Sequence, residues 1–372
     1  MDYQLGDIIR LLKEQSEKYG IERGFLNRLK DLIKRDREET DYYYCTSAEE
    51  IFETARIERM LEIPHLEFRK RMGQGLFSKV YLAFDTRHDQ YVAVKVLEEQ
   101  EPDDRRKNFL AKMGCKTMRD VWDKEMSVLG KLRDKKHPNI VNVHEDGEKG
   151  GYYYIVLEYF ERTLADIMSE ESAFSPHIFT HYSREIASAL AYVHSMNLVH
   201  GDIKPENIGI RKDIGNGVIR LADFGFSSLV SGEITNDSRY HDAGLFTTAP
   251  ELFDRGVRIM PYCDVWSVGS IMYRMLFGEY PFIPKCEKPG TEWRKLSPDE
   301  RNKVRDKAIL ALRSEEEFRR VHARIDHEAG EFSYIIRRCL DFYPENRYPD
   351  GSGLLEDVEK LTNTGNISTI PY

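Results

Sequence analysis

A change of residue pattern along the chain constrains the fold more than any other feature of the sequence. Between Leu66 and Leu157, apolar residues alternate or form short runs separated by turn residues, which predicts β-strands. After Leu157, longer segments with apolar residues at helical spacing dominate. The predicted class is therefore α+β, with a β-rich lobe, an α-rich lobe and a cleft between them. The predicted strands are Phe68–Met72, Val80–Phe84, Tyr91–Leu97 and Tyr152–Leu157.

The first 63 residues have a different spacing of apolar residues, which predicts an α-helical N-terminal extension. Two stripes of apolar residues at helical spacing occupy residues 5–12 and 25–33. A third helix is expected to begin at Ser47, because Ser47 and Glu50 have the spacing of a capping box, and to end before Pro64. Such an extension can bind a regulatory partner, dimerise the protein or brace the neighbouring lobe, and the sequence leaves these roles open.

Charge and composition exclude several classes of protein. The 372 residues include 55 basic and 64 acidic side chains, and the net charge of −9 opposes general binding to nucleic acids or anionic membranes. The most apolar run, Val265–Phe277, is too short to cross a bilayer and contains Arg274, and the N-terminus lacks the order of a secretory signal. The five cysteines are scattered without metal-ligand spacing, which favours a reduced, cytoplasmic compartment.

Two features of the β-rich part indicate binding of phosphate. Gly73 and Gly75 lie in a strand-turn-strand segment, where exposed N–H groups can bind phosphate oxygens. Lys95 lies in an otherwise apolar strand, so its ammonium group requires an anionic partner. The predicted helix Met118–Leu132 supplies one, because Glu125 falls on its inward apolar stripe. Pairing with Glu125 would hold Lys95 at the phosphates of a nucleotide.

The segment His200–Asn207 gathers the polar groups that phosphoryl transfer needs. Asp202 is placed to accept the proton of a hydroxyl group, and Lys204 can neutralise charge on the transferred phosphoryl group. Asn207 offers an amide oxygen to a metal ion, and a short predicted hairpin then leads to a second carboxylate, Asp223. One base and two metal ligands are thus expected to converge.

Six segments of the chain resemble, in order and rough spacing, motifs of the eukaryotic-type protein kinase family, and the resemblance covers about residues 66–361. It implies a two-lobed protein-kinase-like fold that binds ATP with Mg²⁺ and transfers the γ-phosphate to a protein hydroxyl group. We expect a kinase domain over 64–372, with an N-lobe at about 64–157, a C-lobe at about 161–362 and a short C-terminal tail, preceded by the extension over 1–63. The six segments are Gly73–Gly75, Val92–Lys95, His200–Asn207, Asp223–Gly225, Ala249–Glu251 and Asp264–Gly269.

The resemblance implies roles for individual residues. The implied catalytic residues are Lys95, Glu125, Asp202 and Lys204, and the implied Mg²⁺ ligands are Asn207 and Asp223. The implied nucleotide-binding residues are Gly73, Gly75, Val80, Ala93, Lys95, Leu157, Glu158, Phe160, Thr163 and Asn207. Among these, Leu157 resembles the gatekeeper, and Glu158, Tyr159 and Phe160 resemble the hinge that receives adenine. Glu251 is expected to pair with Arg347, and Asp264 to brace the catalytic loop.

The acceptor class and two alternative functions also follow from these residues. Lys204, two residues after Asp202, favours Ser and Thr over Tyr as acceptors. Kinases of aminoglycosides or choline share His-Gly-Asp and the later asparagine, but they do not normally carry that lysine or segments similar to Asp223–Gly225 and Ala249–Glu251. A pseudokinase scaffold is the third interpretation, although every side chain needed for phosphoryl transfer is present.

Expected partners are a protein substrate, the chain itself through autophosphorylation, and a regulatory or dimeric contact through the N-terminal helices. Neither nucleic acid nor a membrane is expected as a partner. The sequence does not rank the candidate hydroxyls for autophosphorylation, which are Ser227, Ser228, Ser231, Thr235, Ser238 and Tyr240. Two charged insertions, 98–120 and 285–331, are interpreted as solvated segments that can contact the N-terminal helices or partners, and a helix is expected after Ser297.

Two glycines of the expected catalytic region depart from the family pattern. Gly201 replaces the arginine that binds a phosphorylated activation-segment residue, so activity is predicted not to need a phosphate bound there, unless another basic residue such as Arg239 substitutes. Gly209 stands where the family places a bulky apolar side chain beneath adenine. Either the pocket is deeper there or Ile208 and Ile210 shift to fill it, with an effect on nucleotide affinity or selectivity.

A third glycine departs from the pattern on the acceptor side. Gly244 stands where the family carries a threonine, which puts the substrate preference in question. Thr247 or Thr248 is a candidate for the missing hydroxyl contact to Asp202 and Lys204, and a plain surface turn is the alternative.

Overall fold

The structure is a computed structural model of the 372-residue chain. It describes residues 48–75, 77–98, 106–107, 110, 114–133, 136–171, 173–211, 217–229, 244–254, 257–282 and 297–363. Several sequence predictions lie outside these ranges: the helices expected within residues 5–33, the cap at Ser47, most of the first insertion and the hydroxyls between residues 231 and 240.

The chain divides into two compact units. The first runs to Arg106 and resumes for Asn142–Tyr159, and the second holds Lys107–Val141 and the chain from Phe160 onward. The first unit is built on a five-stranded antiparallel sheet with the strand order β1-β2-β3-β5-β4. The strands of this sheet are β1 Leu66–Gln74, β2 Ser78–Asp85, β3 Gln90–Glu98, β4 Val143–Lys149 and β5 Tyr152–Glu158, and the described part of the unit also contains helix α1 Ala48–Leu61.

Helix α1 packs on this sheet through its apolar stripe. Ile57 and Leu61 are buried in one core with the strand residues Phe68, Tyr81 and Val156. Burial of each such side chain stabilises the unit by about 1.5–3 kcal/mol. This packing agrees with the interpretation of the extension as a brace, and the helix ends before Pro64 as predicted.

The second unit is mainly helical. Among its described residues lie the helices α2 Met118–Arg133, α3 Leu164–Glu170, α4 Pro176–Ser195, α5 Pro261–Phe277, α6 Pro298–Ala311, α7 Glu315–Glu328, α8 Ser333–Cys339 and α9 Gly351–Asn363. Its strands are β6 Arg162–Thr163, β7 Leu198–Val199, β8 Ile208–Arg211, β9 Val218–Leu221 and β10 Ser228–Leu229. The order β6-β8-β9 forms one small sheet, and β7 pairs with β10.

Local sequence explains where the helices of the second unit begin and end. Ser175 caps α4 by accepting a hydrogen bond from Ile178 N, and Pro176 occupies the first turn. Ser297 and Glu300 form the capping box of α6, so the helix predicted after Ser297 is confirmed. Helix α5 is buried along most of its length and ends at Phe277, and the next residue, Gly278, caps it with a φ of +75° that suits glycine.

The α+β class predicted from the sequence is confirmed. Each of the four predicted strands lies inside an observed strand of the five-stranded sheet, and the helix predicted at Met118–Leu132 is α2. Strand β4 was not predicted. Among the described ranges, no helix is long and apolar enough to cross a membrane.

Candidate active site

The loop between β7 and β8 is held by a buried carboxylate from helix α5. Asp264 is 1% exposed, and it accepts hydrogen bonds from His200 N at 2.7 Å and from Gly201 N at 2.8 Å. His194 Nδ1 accepts from Gly351 N, so its Nε2–H group is free to donate to Asp264 Oδ2 at 3.1 Å. Burial alone would raise the pKa of Asp264, but the bonds and charge of His194 and the Gly201 amide outweigh it and lower that pKa. The predicted brace is confirmed.

Gly201 has a backbone conformation that favours glycine. Its φ is +75°, in the left-handed region, where a side chain meets the neighbouring carbonyl oxygen. The residue that departs from the family pattern is thus well suited to its place in the loop.

The predicted base, lysine and asparagine form one hydrogen-bonded cluster. Lys204 Nζ lies 2.6 Å from Asp202 Oδ2, and Asn207 Nδ2 donates to Asp202 O at 2.8 Å and to Oδ2 at 3.0 Å. The Asp202 and Lys204 side chains are 18% and 17% exposed, so the cluster is shielded without being sealed from solvent. Because the amide nitrogen of Asn207 faces Asp202, its Oδ1 atom points to the other side of the amide.

The electrostatics of this cluster suit a general base. Burial raises the pKa of Asp202 above the ordinary 3.8, and the attraction of Lys204 offsets only part of that effect. Burial would lower the pKa of Lys204, but the negative charges of Asp202 and Asp223 outweigh it and raise that pKa. Lys204 therefore stays a cation while Asp202 becomes easier to protonate than a free aspartate.

Asp223 joins the cluster from the turn after β9. Its charge acts on both Asp202 and Lys204, and its φ of 60° is uncommon for a residue with a side chain. The next residue, Phe224, is 1% exposed and packs on the His200 ring, with 4.9 Å between ring centroids. This contact fixes the turn to the catalytic loop.

The oxygen atoms of Asn207 and Asp223 fit a small divalent cation. Carboxylate and amide oxygens are hard ligands, and Mg²⁺ commonly uses one or two protein ligands together with water and phosphate oxygens. No cluster of three or more His, Cys, Asp or Glu in the described ranges is placed to hold a metal ion by itself. The residues present thus suit a cation that a substrate phosphate helps to hold.

In the first unit, strand register brings together most of the predicted nucleotide-binding residues. Gly73 lies opposite Val80, and Val80 lies opposite Lys95. Ala93 lies opposite Leu157, the predicted gatekeeper. The turn after β1 closes with a bond of 2.7 Å from Gly75 N to Ser78 O.

Lys95 and Glu125 are both buried, at 8% and 4% exposure, in the first and second unit respectively. Glu125 lies on the inward stripe of α2 together with Met118, Val121, Trp122, Val128, Leu129 and Leu132. The position of Glu125 on that stripe agrees with the sequence. Its pairing with Lys95 remains a prediction.

The protein kinase domain family matches residues 66–352. The chain belongs to the protein kinase family. A probable serine/threonine-protein kinase of Clostridium acetobutylicum is 26% identical over 304 residues, 80% of this chain and 40% of that protein. A second one, from Clostridium perfringens, is 25% identical over 307 residues, 81% of this chain and 39% of that protein. CBL-interacting serine/threonine-protein kinase 20 of Arabidopsis thaliana is 31% identical over 224 residues, 58% and 46% of the two chains. The chain thus spans about two fifths of the length of the two bacterial relatives.

The predicted hinge of this kinase chain is anchored at its first residue. Glu158 N donates to Asn142 O at 2.9 Å, and the Glu158 carboxylate accepts from Asn142 Nδ2 at 2.9 Å. Thr163 forms a capping box with Asp166 at the start of α3. Its hydroxyl therefore has a structural role, and nucleotide contact by Thr163 remains a prediction.

In the segment expected to face the acceptor, the hydroxyls of Thr247 and Thr248 do not make the contact to Asp202 and Lys204 that was proposed from the sequence. Thr247 and Thr248 both donate to Gly244 O, at 3.3 and 2.7 Å. A Cβ atom on Gly244 would lie 3.6 Å from Asp202 Oδ1, so the family's threonine would stand beside the base. Gly244 leaves that side of Asp202 open, in a cavity that Thr247 and Thr248 also line.

Two further residues that position this site, Ser267 and Ser270, were not predicted from the sequence. Ser267 Oγ donates to Thr247 O and Ser270 Oγ donates to Phe246 O, both at 2.7 Å, which fastens the acceptor-side loop to α5. Their signal was available, because two small hydroxyls stand among the apolar residues of a buried helix and need acceptors there.

Proposed function

We propose that this chain is an ATP- and Mg²⁺-dependent kinase that transfers the γ-phosphate to Ser and Thr hydroxyls of proteins. One observation carries the proposal: Lys204 and Asn207 both bond to the carboxylate of Asp202, and the charge of Asp223 acts on the same cluster. These are the parts that phosphoryl transfer needs, a base, a cation and ligands for a metal. Membership of the kinase family supports the assignment.

In the proposed mechanism Asp202 orients the acceptor hydroxyl and takes its proton. Oδ2 is already occupied by Lys204 and Asn207, which leaves Oδ1, on the open side next to Gly244, for the acceptor. Lys204 stays charged and stabilises the negative charge of the transferred group. Asn207 and Asp223 would hold Mg²⁺, which neutralises charge on the nucleotide phosphates when it is bound.

Several aspects of the proposal go beyond the family assignment. Residues 1–63 would form the extension and 64–372 the kinase domain, and the extension would offer the surface for a regulatory partner or a second copy. A cytoplasmic location, protein substrates and autophosphorylation belong to the same proposal. The net charge of −9 supports the absence of nucleic-acid and membrane partners.

The proposed enzyme does not depend on a phosphate bound at residue 201. Gly201 carries no guanidinium, so an activation-segment phosphate lacks its usual partner in the catalytic loop. Treatment with a general protein phosphatase should leave the initial rate unchanged. Loss of the rate after this treatment would show that another basic residue replaces the arginine.

A radiolabelled γ-phosphate assay tests the function. The purified full chain is offered a generic protein acceptor, itself, choline and an aminoglycoside, and Asp202→Asn is the control. Label on protein that the substitution abolishes supports the proposal. Label only on a small molecule would identify a small-molecule kinase instead, and binding of Mg-ATP without any label would identify a scaffold.

A further inference from the structure

The side chain of Phe160 occupies the space that a side chain at residue 209 would fill. A Cβ atom on Gly209 would overlap Cγ and Cδ2 of the Phe160 ring, and Cε2 would lie at 2.6 Å, closer than real Cβ contacts come. Gly209 is in the middle of β8, between Ile208 and Ile210. Both isoleucines are buried, at 0% and 3% exposure, so neither has moved out to fill the place above Gly209.

The chain path explains how Phe160 reaches β8. Only three residues, 159–161, separate the end of β5 from the start of β6. Strand β6 then pairs with β8 in the register of Arg162 with Ile210 and Thr163 with Gly209. Because the connection is this short, Phe160 lies against β8. The ring has room there only if residue 209 has no side chain.

The direction and exposure of the ring suggest its role. Successive residues of a strand point to opposite faces, so Gly209 faces away from the side where Ile208 and Ile210 are buried. Phe160 lies on that outer face and is itself only partly buried. The ring thus combines a packed position with a surface that a ligand can contact.

We propose that the ring of Phe160, and not a side chain of β8, forms the apolar surface on which the adenine base stacks. This inference rests on the proposed function of the chain as an ATP-dependent kinase. An aromatic ring offers a purine a flat surface for offset stacking. The ring can take this position only because residue 209 is glycine. This proposal replaces the two alternatives expected from the sequence, a deeper pocket or a shift of Ile208 and Ile210.

Two substitutions and their combination test the exchange between residues 160 and 209. Phe160→Ala removes the stacking surface and should weaken binding of Mg-ATP about tenfold or more. Gly209→Leu places a side chain in the space that the Phe160 ring occupies and should also weaken binding of Mg-ATP. In the double variant the leucine enters the space that the ring has left, and affinity should return to within about threefold of the wild type.

Isothermal titration calorimetry on the full chain is the measurement, with Mg-ATP and Mg-tripolyphosphate as probes. Tripolyphosphate has no base, so its affinity should change by less than about twofold in Phe160→Ala if the ring acts on adenine. A general structural defect would weaken both probes. Phe342→Ala, a partly exposed phenylalanine of the same unit, is the matched control and should leave both affinities unchanged.

Three outcomes would overturn the inference: Mg-ATP affinity unchanged in Phe160→Ala, equal weakening of both probes, or a double variant that binds no better than Phe160→Ala. The last comparison remains valid if Gly209→Leu alone does not fold. Failure of the wild type to bind Mg-ATP would refute the proposed function itself. Wild-type binding and phosphoryl transfer with unresponsive variants would refute only the role of Phe160.

Discussion

Arg347 holds the carboxylate of Glu251 through two parallel hydrogen bonds, from Nη1 to Oε1 at 2.8 Å and from Nη2 to Oε2 at 2.9 Å. The Arg347 side chain is completely buried, and its guanidinium lies 4.7 Å from the centroid of the Trp266 ring. Its Nε atom donates to Asp341 O at 2.8 Å. The pair that the sequence predicted thus fastens the segment at Glu251 to the chain beyond α8.

Arg347→Met should lower the free energy of unfolding by about 3–5 kcal/mol, because it leaves Glu251 without its partner in a mostly buried place. Denaturant unfolding measures the loss. Arg313→Met is the matched control, since Arg313 pairs with Asp254 at the same distance of 2.8 Å but both side chains are more than half exposed. The control should cost at most about 1 kcal/mol. Equal losses in the two variants would contradict the importance of the buried pair.

The pH dependence of the rate should report the protonation of Asp202. Activity requires the carboxylate, so kcat/KM should fall as the pH falls through the pKa of Asp202, which lies above 3.8. Lys204→Met removes a positive charge that favours the carboxylate, so it should raise that pKa and move the acidic limb to higher pH. The exposed Lys360→Met is the control and should leave the limb in place. A limb that stays or moves to lower pH in Lys204→Met would contradict this assignment.

Substitution of two glycines by alanine should have opposite effects. Gly201→Ala should destabilise the protein by about 1 kcal/mol, because φ at residue 201 is +75°. Gly130 lies within α2, and nothing lies within 4 Å of an added Cβ atom, so Gly130→Ala should stabilise by about 0.5–1 kcal/mol. Thermal unfolding of both variants checks the signs. A stable Gly201→Ala would mean that the loop tolerates a side chain without strain.

The length of an N-terminal deletion should decide whether the kinase domain stays folded. Deletion of residues 1–47 keeps all described residues of α1, whereas deletion of 1–63 also removes the buried side chains of Ile57, Leu61 and Ile63. At about 1.5–3 kcal/mol for each, the longer deletion should lose several kcal/mol relative to the shorter one. Chemical denaturation compares the two, and light scattering of the shorter one tests dimerisation. Equal stabilities would show that α1 is dispensable for the core.

Much of the fold was predictable because its strongest signals are local. Strand β3 is apolar and flanked by turn residues, and it was placed to within one residue at each end. Strand β4 was missed because its sequence, from Val143 to Lys149, is largely polar and exposed. It is an edge strand that forms because its backbone pairs with the apolar strand β5, a non-local cause that a single segment does not reveal.

The site shows the same division between local and non-local information. Asp202, Lys204 and Asn207 lie within one short segment, and the structure brings them together as predicted. The contact of Phe160 with Gly209 joins residues far apart in the sequence and depends on the pairing of β6 with β8. A glycine in a strand signals that something approaches closely, but the sequence does not say what it is.

The Asp264 carboxylate holds the catalytic loop by accepting hydrogen bonds from the main-chain N–H groups of His200 and Gly201. Every residue except proline offers such a group. These two hydrogen bonds therefore do not depend on which side chain stands at position 201, whereas the φ of +75° there favours glycine. For protein engineering, a new side chain at residue 201 should lower stability by about 1 kcal/mol and still leave both main-chain bonds to Asp264 in place, next to an unchanged Asp202.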